Sequence, residues 1–579
     1  MNEKEQDINF KSLFLPFTAK KAVIYIFLIG FVVFFNALFN KFVLDDEWQI
    51  VNNTIVHSFL NFPLFFSSGT FNTGGALALA GSFYRPLMTM YFSIVYSVFG
   101  ASPFPFHLIQ LLLHITNSIF VFILFRKFFK KSIAIFLALV FLVHPMNQEV
   151  VVYVSDIQDI LFFLFGISAI LISLNGVKNL RNLIIVNVLF IFSLLSKESA
   201  IIFSPIIIFI AWLNKKSLSV FISLSLIIVS VLYLIFRFNI LYLVSSNNAI
   251  FPMMNLTLIQ RLYSIPAIIF YYISTFFYPQ NLAIEQLWFV SNLHLANFHL
   301  PLLIDALFIF GLGLLGIYLY KNDRKKIDAY LFFLAWFIFG IALSLQIIPL
   351  EMTVATRWFY FPIVGMLGLV GLTIQSLKIT NKNFVKAGYL FAVLVIMLFS
   401  IRTVVRNTNW RDALTLYSHD IQTEDNFVLE NDLGSELSRN GLYDQAFTLY
   451  KKSVEKTPNW SNLYNLGTIY YRNKDYTNAV KYFEMSLRYS DYYLAYENLS
   501  MVLLFTGNPN SAKIVAEKGL SKLPYNSNLW YIYGLSEYKL GNSKLAIKAI
   551  RNSIYINSSS ERISVLNAML DNKKFDFKY

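Results

Sequence analysis

Residues 22–53 read AVIYIFLIGFVVFFNALFNKFVLDDEWQIVNN. The first part is almost wholly apolar, and roughly 20 such residues suffice to cross a hydrocarbon core. Lys20 and Lys21 precede it, and Asp45, Asp46 and Glu47 follow in succession. The apolar run is too long for the core of a signal peptide and lacks a small-residue cleavage site, so it reads as a retained membrane helix. Three adjacent carboxylates at its far end are either a solvated helix terminus or part of a site.

Composition extends this reading to most of the chain. The 579 residues are 56% hydrophobic and 17% aromatic, with 14% charged, and the mean hydropathy is +0.56. A soluble protein of this length cannot bury so much apolar surface. The formal net charge of +14 lies largely in short clusters between apolar runs, where topology signals sit. This argues against nucleic acid as a partner. Cysteine is absent, which excludes disulfides, thiolate zinc sites and cysteine nucleophiles.

The character of the sequence changes near residue 405. Beyond it a period emerges: a small residue recurs at Gly434, Gly467, Ser500 and Gly534, and an alanine at Ala446, Ala479, Ala512 and Ala546. The spacings are 33, 33 and 34. The pattern resembles the tetratricopeptide repeat, in which small residues let paired helices approach closely. The expected domains are therefore a transmembrane domain over 1–405 and a helical repeat domain over 406–579. Such a solenoid offers a concave surface for a peptide or protein.

Basic clusters orient the membrane part. They fall at Lys20/Lys21, Arg126/Lys127/Lys130/Lys131, Lys178/Arg181, Lys215/Lys216, Lys321/Arg324/Lys325/Lys326 and Lys378/Lys382. Placing all of them in the cytoplasm predicts about 11 crossings. These are 22–43, 104–126, 131–145, 156–175, 182–196, 199–213, 217–237, 302–320, 329–349, 358–376 and 385–403. The N-terminus is then inside and the repeats outside, and the apolar stretches 84–100 and 262–279 lie along or partly within the outer face. The spans 182–196 and 199–213 are short: 15 residues of helix reach about 22 Å, less than the hydrocarbon core. Their junction is expected in a recess.

On this map both signs of charge gather on the outer side. Asp45, Asp46 and Glu47 lie there with Tyr84, Arg85, His144, Glu149, Asp156, Asp159, Lys197, Glu198, Glu351 and Arg357. Singly, each has an ordinary structural explanation: a helix end, an ion pair in a hairpin, a snorkelling arginine, a capping histidine. Together, acids supply a general base and cations hold an anionic group. Glycosyl transfer from a lipid-linked sugar phosphate needs this combination, and it needs no nucleotide. No phosphate-binding glycine loop is found. His107 and His114, seven apart on one helix face, read as packed residues rather than metal ligands. Asp156 and Asp159 with Asp46 offer oxygens for a divalent ion as a minority reading.

Several blocks carry a family resemblance: FVLDDEWQIVNN (42–53), YRPLMTMYFSIVYSVFG (84–100), HLIQLLLHITNSIFVFIL (107–124), LVHPMNQEVVVYVSDIQDIL (142–161), LLSKESAIIFSPIII (194–208), TRWFYFPIVG (356–365) and RNTNWRDALTLYSHDI (406–421). In this order, with repeats at the end, the chain resembles the transmembrane, tetratricopeptide-repeat O-mannosyltransferase-like family of the C-type glycosyltransferase superfamily. The resemblance implies an all-α C-type membrane fold followed by an α-solenoid. It implies an inverting enzyme with a polyprenyl- or dolichyl-phosphate sugar donor, possessing its site on the non-cytoplasmic face. The base falls within Asp45–Asp46, Asp46 being placed first. Lys197 and Arg357 are expected on the donor phosphate. Tyr84, Arg85, His144, Glu149, Asp156 and Glu198 are expected to shape the site, with no metal required. Glu47, a third adjacent acid, and Ile157-Gln158, where relatives carry a small or basic pair, depart from the pattern.

The acceptor is expected to be a Ser or Thr hydroxyl of an exported protein held by the repeats. A glycan-elongating envelope enzyme and a non-enzymatic membrane scaffold are the alternatives. Abundant Ile, Asn, Lys and Phe without Cys point to a bacterial inner membrane.

Overall fold

The computed structural model describes residues 18–67, 69–70, 83–177, 179–213, 219–242, 251–377 and 381–571. Of the basic clusters, Lys178, Lys215, Lys216 and Lys378 lie outside these residues. The chain divides into two compact units, one reaching to Thr423 and one beginning at Glu424. Both are built from helices, and the strand-like contact among the described residues is an isolated bridge between Gln286 and Val354.

In the first unit each of the eleven expected crossings overlaps a helix, though that expected at 329–349 ends at Ala342. Six are long and apolar enough to cross a membrane: Ala19–Phe39, Pro103–Arg126, Val154–Leu174, Ser219–Asn239, Leu295–Asn322 and Lys382–Asn409. The pair Lys131–Val143 and Pro145–Val152 makes a seventh if its 47° bend is counted within one span. Leu180–Ser196, Glu198–Leu213 and Pro362–Ser376 are shorter apolar helices. The stretches read as lying on the outer face fold as Pro86–Phe99 and Leu258–Phe277.

The bend at His144-Pro145 is a consequence of sequence. Proline has no N–H and disfavours helical backbone in the residue before it, and His144 is extended at φ −64°, ψ 128°. A break of this kind frees carbonyls that have no water to turn to in an apolar setting. Each finds a polar side chain. Asn147 donates to Phe141 O at 2.7 Å, His114 Nε2 bonds Leu142 O at 2.9 Å, and Thr403 donates to Val143 O at 2.8 Å. The bend turns the following short helix, Gln148–Val152, so that it carries Glu149 towards Arg357.

Helices Ile327–Ala342 and Pro362–Ser376 pack at backbone distance. A Cβ on Gly365 would lie 2.5 Å from Phe337 N and 2.8 Å from Phe333 O, and one on Gly368 would lie 2.1 Å from Phe333 Cδ1. Only glycine permits that approach. It seats the turn Thr356–Phe359, which leads into the second of these helices, beside the bend.

Among the described residues the second unit has four successive helix pairs from Phe427 to Ile556 and a last helix, Ser560–Leu570. Ala446, Ala479, Ala512 and Ala546 are fully buried. The aromatic rings of Tyr450 and Phe483 lie within 3 Å of where a Cβ on Gly434 or Gly467 would be, which is why small residues recur there. A second periodic device accompanies them. Ser453, Ser486 and Ser553 donate to the carbonyls of Phe427, Trp460 and Ser527, each 26 residues earlier. Asn426, Asn459 and Asn526 cap the helices that follow, satisfying N–H groups that a helix start leaves open.

Candidate active site

The residues that position the site come from four breaks in helical structure within the first unit. The first follows the opening helix. Leu44 sits at φ +55°, a conformation uncommon for a branched side chain, and Glu47–Val51 forms a π-helical turn. Together they separate the two aspartates. Asp46 turns inward and is fully buried. Val43 N–H donates to its Oδ2 at 3.1 Å and Ser155 N–H to its Oδ1 at 2.7 Å. Burial pushes its carboxyl up to about 7, against these hydrogen bonds. Asp45 is half-buried and lines a cavity of about 530 Å³. Burial raises its carboxyl too, opposed by a hydrogen bond to Tyr153 and the charges of Arg357 and Arg85.

The second break is the His144-Pro145 bend with the turn Val154–Asp156, which brings Tyr153, Asp156, Gln158 and Asp159 to the cavity. The third is the junction between Leu180–Ser196 and Phe203–Leu213. Lys197 is extended there, at φ −157°, ψ 137°, and both Lys197 and Glu198 line the cavity, as expected of a recessed junction. The fourth is Thr356–Phe359, which carries Arg357.

Every cation of the cavity wall that was singled out in the sequence meets an acid. Lys197 Nζ donates to both oxygens of Asp159, at 2.7 and 2.6 Å. Arg85 donates to Glu198 through Nε at 3.2 Å and Nη2 at 2.9 Å. Arg357 Nη1 and the Thr356 hydroxyl donate to the two oxygens of Glu149, and Arg357 Nε stands 4.0 Å from Asp156. Among the described residues, Arg357 Nη2 reaches only the Met352 sulfur, at 3.9 Å, so a planar donor edge remains for an anion.

Four of the expected site residues are elsewhere. Asp46 does not line the cavity; its carboxylate ties the first loop to Ser155. Tyr84 is fully buried, its hydroxyl donating to Phe66 O at 3.1 Å. His144 is buried against Phe276 and Phe399 at the bend, where it supports the break rather than the cavity. Glu149 acts behind Arg357. His114 is packed, with Tyr360 OH 2.9 Å from its Nδ1. Among the described residues no group of three or more acidic or histidine side chains is placed to hold a metal ion. The trio Asp46, Asp156 and Asp159 is split, since backbone N–H groups occupy Asp46 and Lys197 occupies Asp159.

The cavity also contains groups the sequence reading passed over: Gln49, Tyr153, Phe162 and Arg237. Arg237 had a signal, as a lone cation in the apolar helix Ser219–Tyr242, and such residues usually face an interior. Gln49 and Tyr153 had none.

A smaller cavity of about 180 Å³ adjoins the first. Asp45, Tyr153, Glu351, Met352 and Arg357 line both, and Ile284 and Glu285 belong to the smaller alone.

Fold and site define a class: a polytopic all-α membrane protein with a charged cavity among broken helices, followed by a tetratricopeptide array. Comparison with known proteins agrees. Residues 84–242 match the family model described as dolichyl-phosphate-mannose-protein mannosyltransferase, and residues 461–491 match a tetratricopeptide repeat. The chain is similar to Protein O-mannosyl-transferase F38B6.6 of Caenorhabditis elegans, with 24% identity over 72% of this chain and 59% of that one. It is likewise similar to human Protein O-mannosyl-transferase TMTC3, with 24% identity over 70% of this chain and 48% of that one. It thus spans about half the length of the curated relatives it matches. The archaeal oligosaccharyltransferase AglB from Archaeoglobus fulgidus overlaps 67% of this chain and 56% of its own at 16% identity, with a TM-score of 0.40. That overlap is too weak to fix a shared fold. The resemblance read from the motifs is matched by these comparisons: the chain is similar to protein O-mannosyl-transferases that include TMTC3.

Proposed function

We propose that the protein is an inverting C-type glycosyltransferase that moves a sugar, mannose by analogy with its relatives, from a polyprenyl- or dolichyl-phosphate to a hydroxyl. The observation that carries this is the position of Asp45 on the wall shared by two cavities. The larger holds the donor, its phosphate against Arg357 and Lys197, with apolar lining from Phe162, Ile201 and Ile202 for the first lipid units. The smaller admits the acceptor.

Asp45 takes the proton from the acceptor hydroxyl as that oxygen bonds to the anomeric carbon. The bond between that carbon and the phosphate oxygen breaks on the opposite face, and polyprenyl phosphate departs with the negative charge. Arg357 and Lys197 stabilise that charge. Glu149 and Asp159 hold the two cations in place, and Asp46 holds the loop that presents Asp45. The acceptor is a Ser or Thr hydroxyl of an exported protein recruited by the repeats. The charge pattern supports an extracytoplasmic side for site and repeats, and the composition supports a bacterial inner membrane.

Transfer of radiolabelled sugar from a lipid-phosphate donor, in membranes containing the full chain, tests the assignment. Asp45→Asn should lower turnover by about 10²- to 10⁴-fold, the usual contribution of a general base, with the thermal midpoint unchanged. Retained turnover in Asp45→Asn removes Asp45 as the base. Absence of transfer or donor binding in the wild-type protein favours a membrane scaffold.

A further inference from the structure

Two buried amides in the larger cavity have an unmet need. Gln49 is 4% exposed and Gln158 6% exposed, and both line the cavity. Among the described residues neither Oε1 receives a hydrogen bond. The orientation of Gln158 is settled by its other end, since Nε2 donates to Asp156 Oδ1 at 2.8 Å. Its carbonyl oxygen is therefore the end left over. The two side chains come from segments 109 residues apart that meet because Ser155 N–H bonds Asp46. The π-helical turn Glu47–Val51, a form that often marks a functional position, sets Gln49 on the cavity side.

Buried polar atoms are paired in folded proteins, and an exception calls for a partner that the chain does not supply. Two carbonyl acceptors beside a carboxylate call for donors. They are unsuited to a phosphate, which has only acceptors to offer at neutral pH. We propose that Gln49 and Gln158 form the sugar subsite, accepting hydrogen bonds from ring hydroxyls of the donor hexose, and so determine which lipid-linked sugar is used. This rests on the glycosyltransferase reading above. It also gives a role to Gln158, which departs from the small or basic pair of the motif. A site built to bond a hydroxyl rejects the analogue lacking it far more strongly than a hydrophobic pocket rejects a size change, because its own acceptors are then stranded.

The test is binding, so no acceptor is needed. The full-length protein in detergent is titrated with farnesyl-phosphate mannose, with its 2-, 3-, 4- and 6-deoxy analogues, and with farnesyl phosphate. Wild type should bind the mannoside more tightly than at least one deoxy analogue by roughly tenfold or more. Gln158→Met and Gln49→Met should each shrink that ratio towards one while leaving farnesyl phosphate affinity unchanged. Gln158→Glu, which keeps an acceptor oxygen in place, should retain part of the ratio. Equal binding of mannoside and all deoxy analogues by wild type would overturn the subsite, as would ratios unchanged in both methionine variants. Failure to bind farnesyl phosphate at all would instead strike the donor site and with it the proposed function.

Discussion

Replacing Gly365 by alanine puts a methyl group where two helices already touch. Its Cβ would lie 2.5 Å from Phe337 N and 2.8 Å from Phe333 O, whereas ordinary contact begins at 3.4 Å. Both obstacles are backbone atoms, so no rotamer change relieves them. Helices Ile327–Ala342 and Pro362–Ser376 must separate by about 1 Å, and overpacking of this kind costs about 1–3 kcal/mol. The turn Thr356–Phe359 lies immediately before the second helix, so Arg357 moves with it. A displacement near 1 Å in a positioned group lowers rate on the order of 10²-fold. Gly388→Ala is the control: nothing lies within 4 Å of that Cβ, and alanine is the better helix former. Thermal unfolding in detergent, followed by intrinsic fluorescence, should show Gly365→Ala melting below wild type and Gly388→Ala at or above it. Farnesyl-phosphate mannose affinity should fall in Gly365→Ala alone. If Gly365→Ala melts and binds like wild type, these helices are not in backbone contact and the placement of Arg357 derived from them is wrong.

Three further outcomes follow from individual contacts. Lys197→Met strands the buried Asp159 carboxylate and should destabilise the protein by about 3–5 kcal/mol; adding Asp159→Asn should restore the melting midpoint but not donor binding. Burial raises the Asp45 carboxyl above its ordinary 3.8 despite Tyr153, Arg357 and Arg85. Since the base acts deprotonated, the acid limb of the kcat/KM profile should lie above pH 3.8 and disappear in Asp45→Asn. Asp420 experiences the reverse balance. Burial raises it, but the Arg406 guanidinium, His419 and Ile284 N–H together hold it below 3.8. Its stabilisation is complete above pH 3.8 and is lost as pH falls through the lowered value, so the difference in melting between wild type and Asp420→Asn should vanish in acid.

Much of this molecule is legible without coordinates because bilayer and repeat physics write directly on local sequence. An apolar run between basic clusters reads as a membrane segment, and each of the eleven expected crossings overlaps a helix, six of them long and apolar enough to span. A small residue every 33 or 34 positions can only be a close helix pair, so Gly434, Gly467 and Gly534 meet aromatic or aliphatic side chains. Proline after His144 declares a break, and the short spans around Lys197 declare a recess. The division of labour between neighbours is different in kind. Asp45 and Asp46 are chemically identical and adjacent, and the sequence placed Asp46 first. Their difference depends on the positive φ of Leu44 and on Ser155 N–H, 109 positions away. Gln49, Tyr153 and Arg237 join the site for the same reason: a cavity wall is assembled from segments that share no local pattern. Tyr84 and His144 look like site residues in the motif yet are buried away from the cavity lining. Local composition determined which segments are helical, apolar or repeated, since those properties are summed along the chain. Only tertiary structure decided which polar atoms face the empty space, since that depends on where distant backbone donors end.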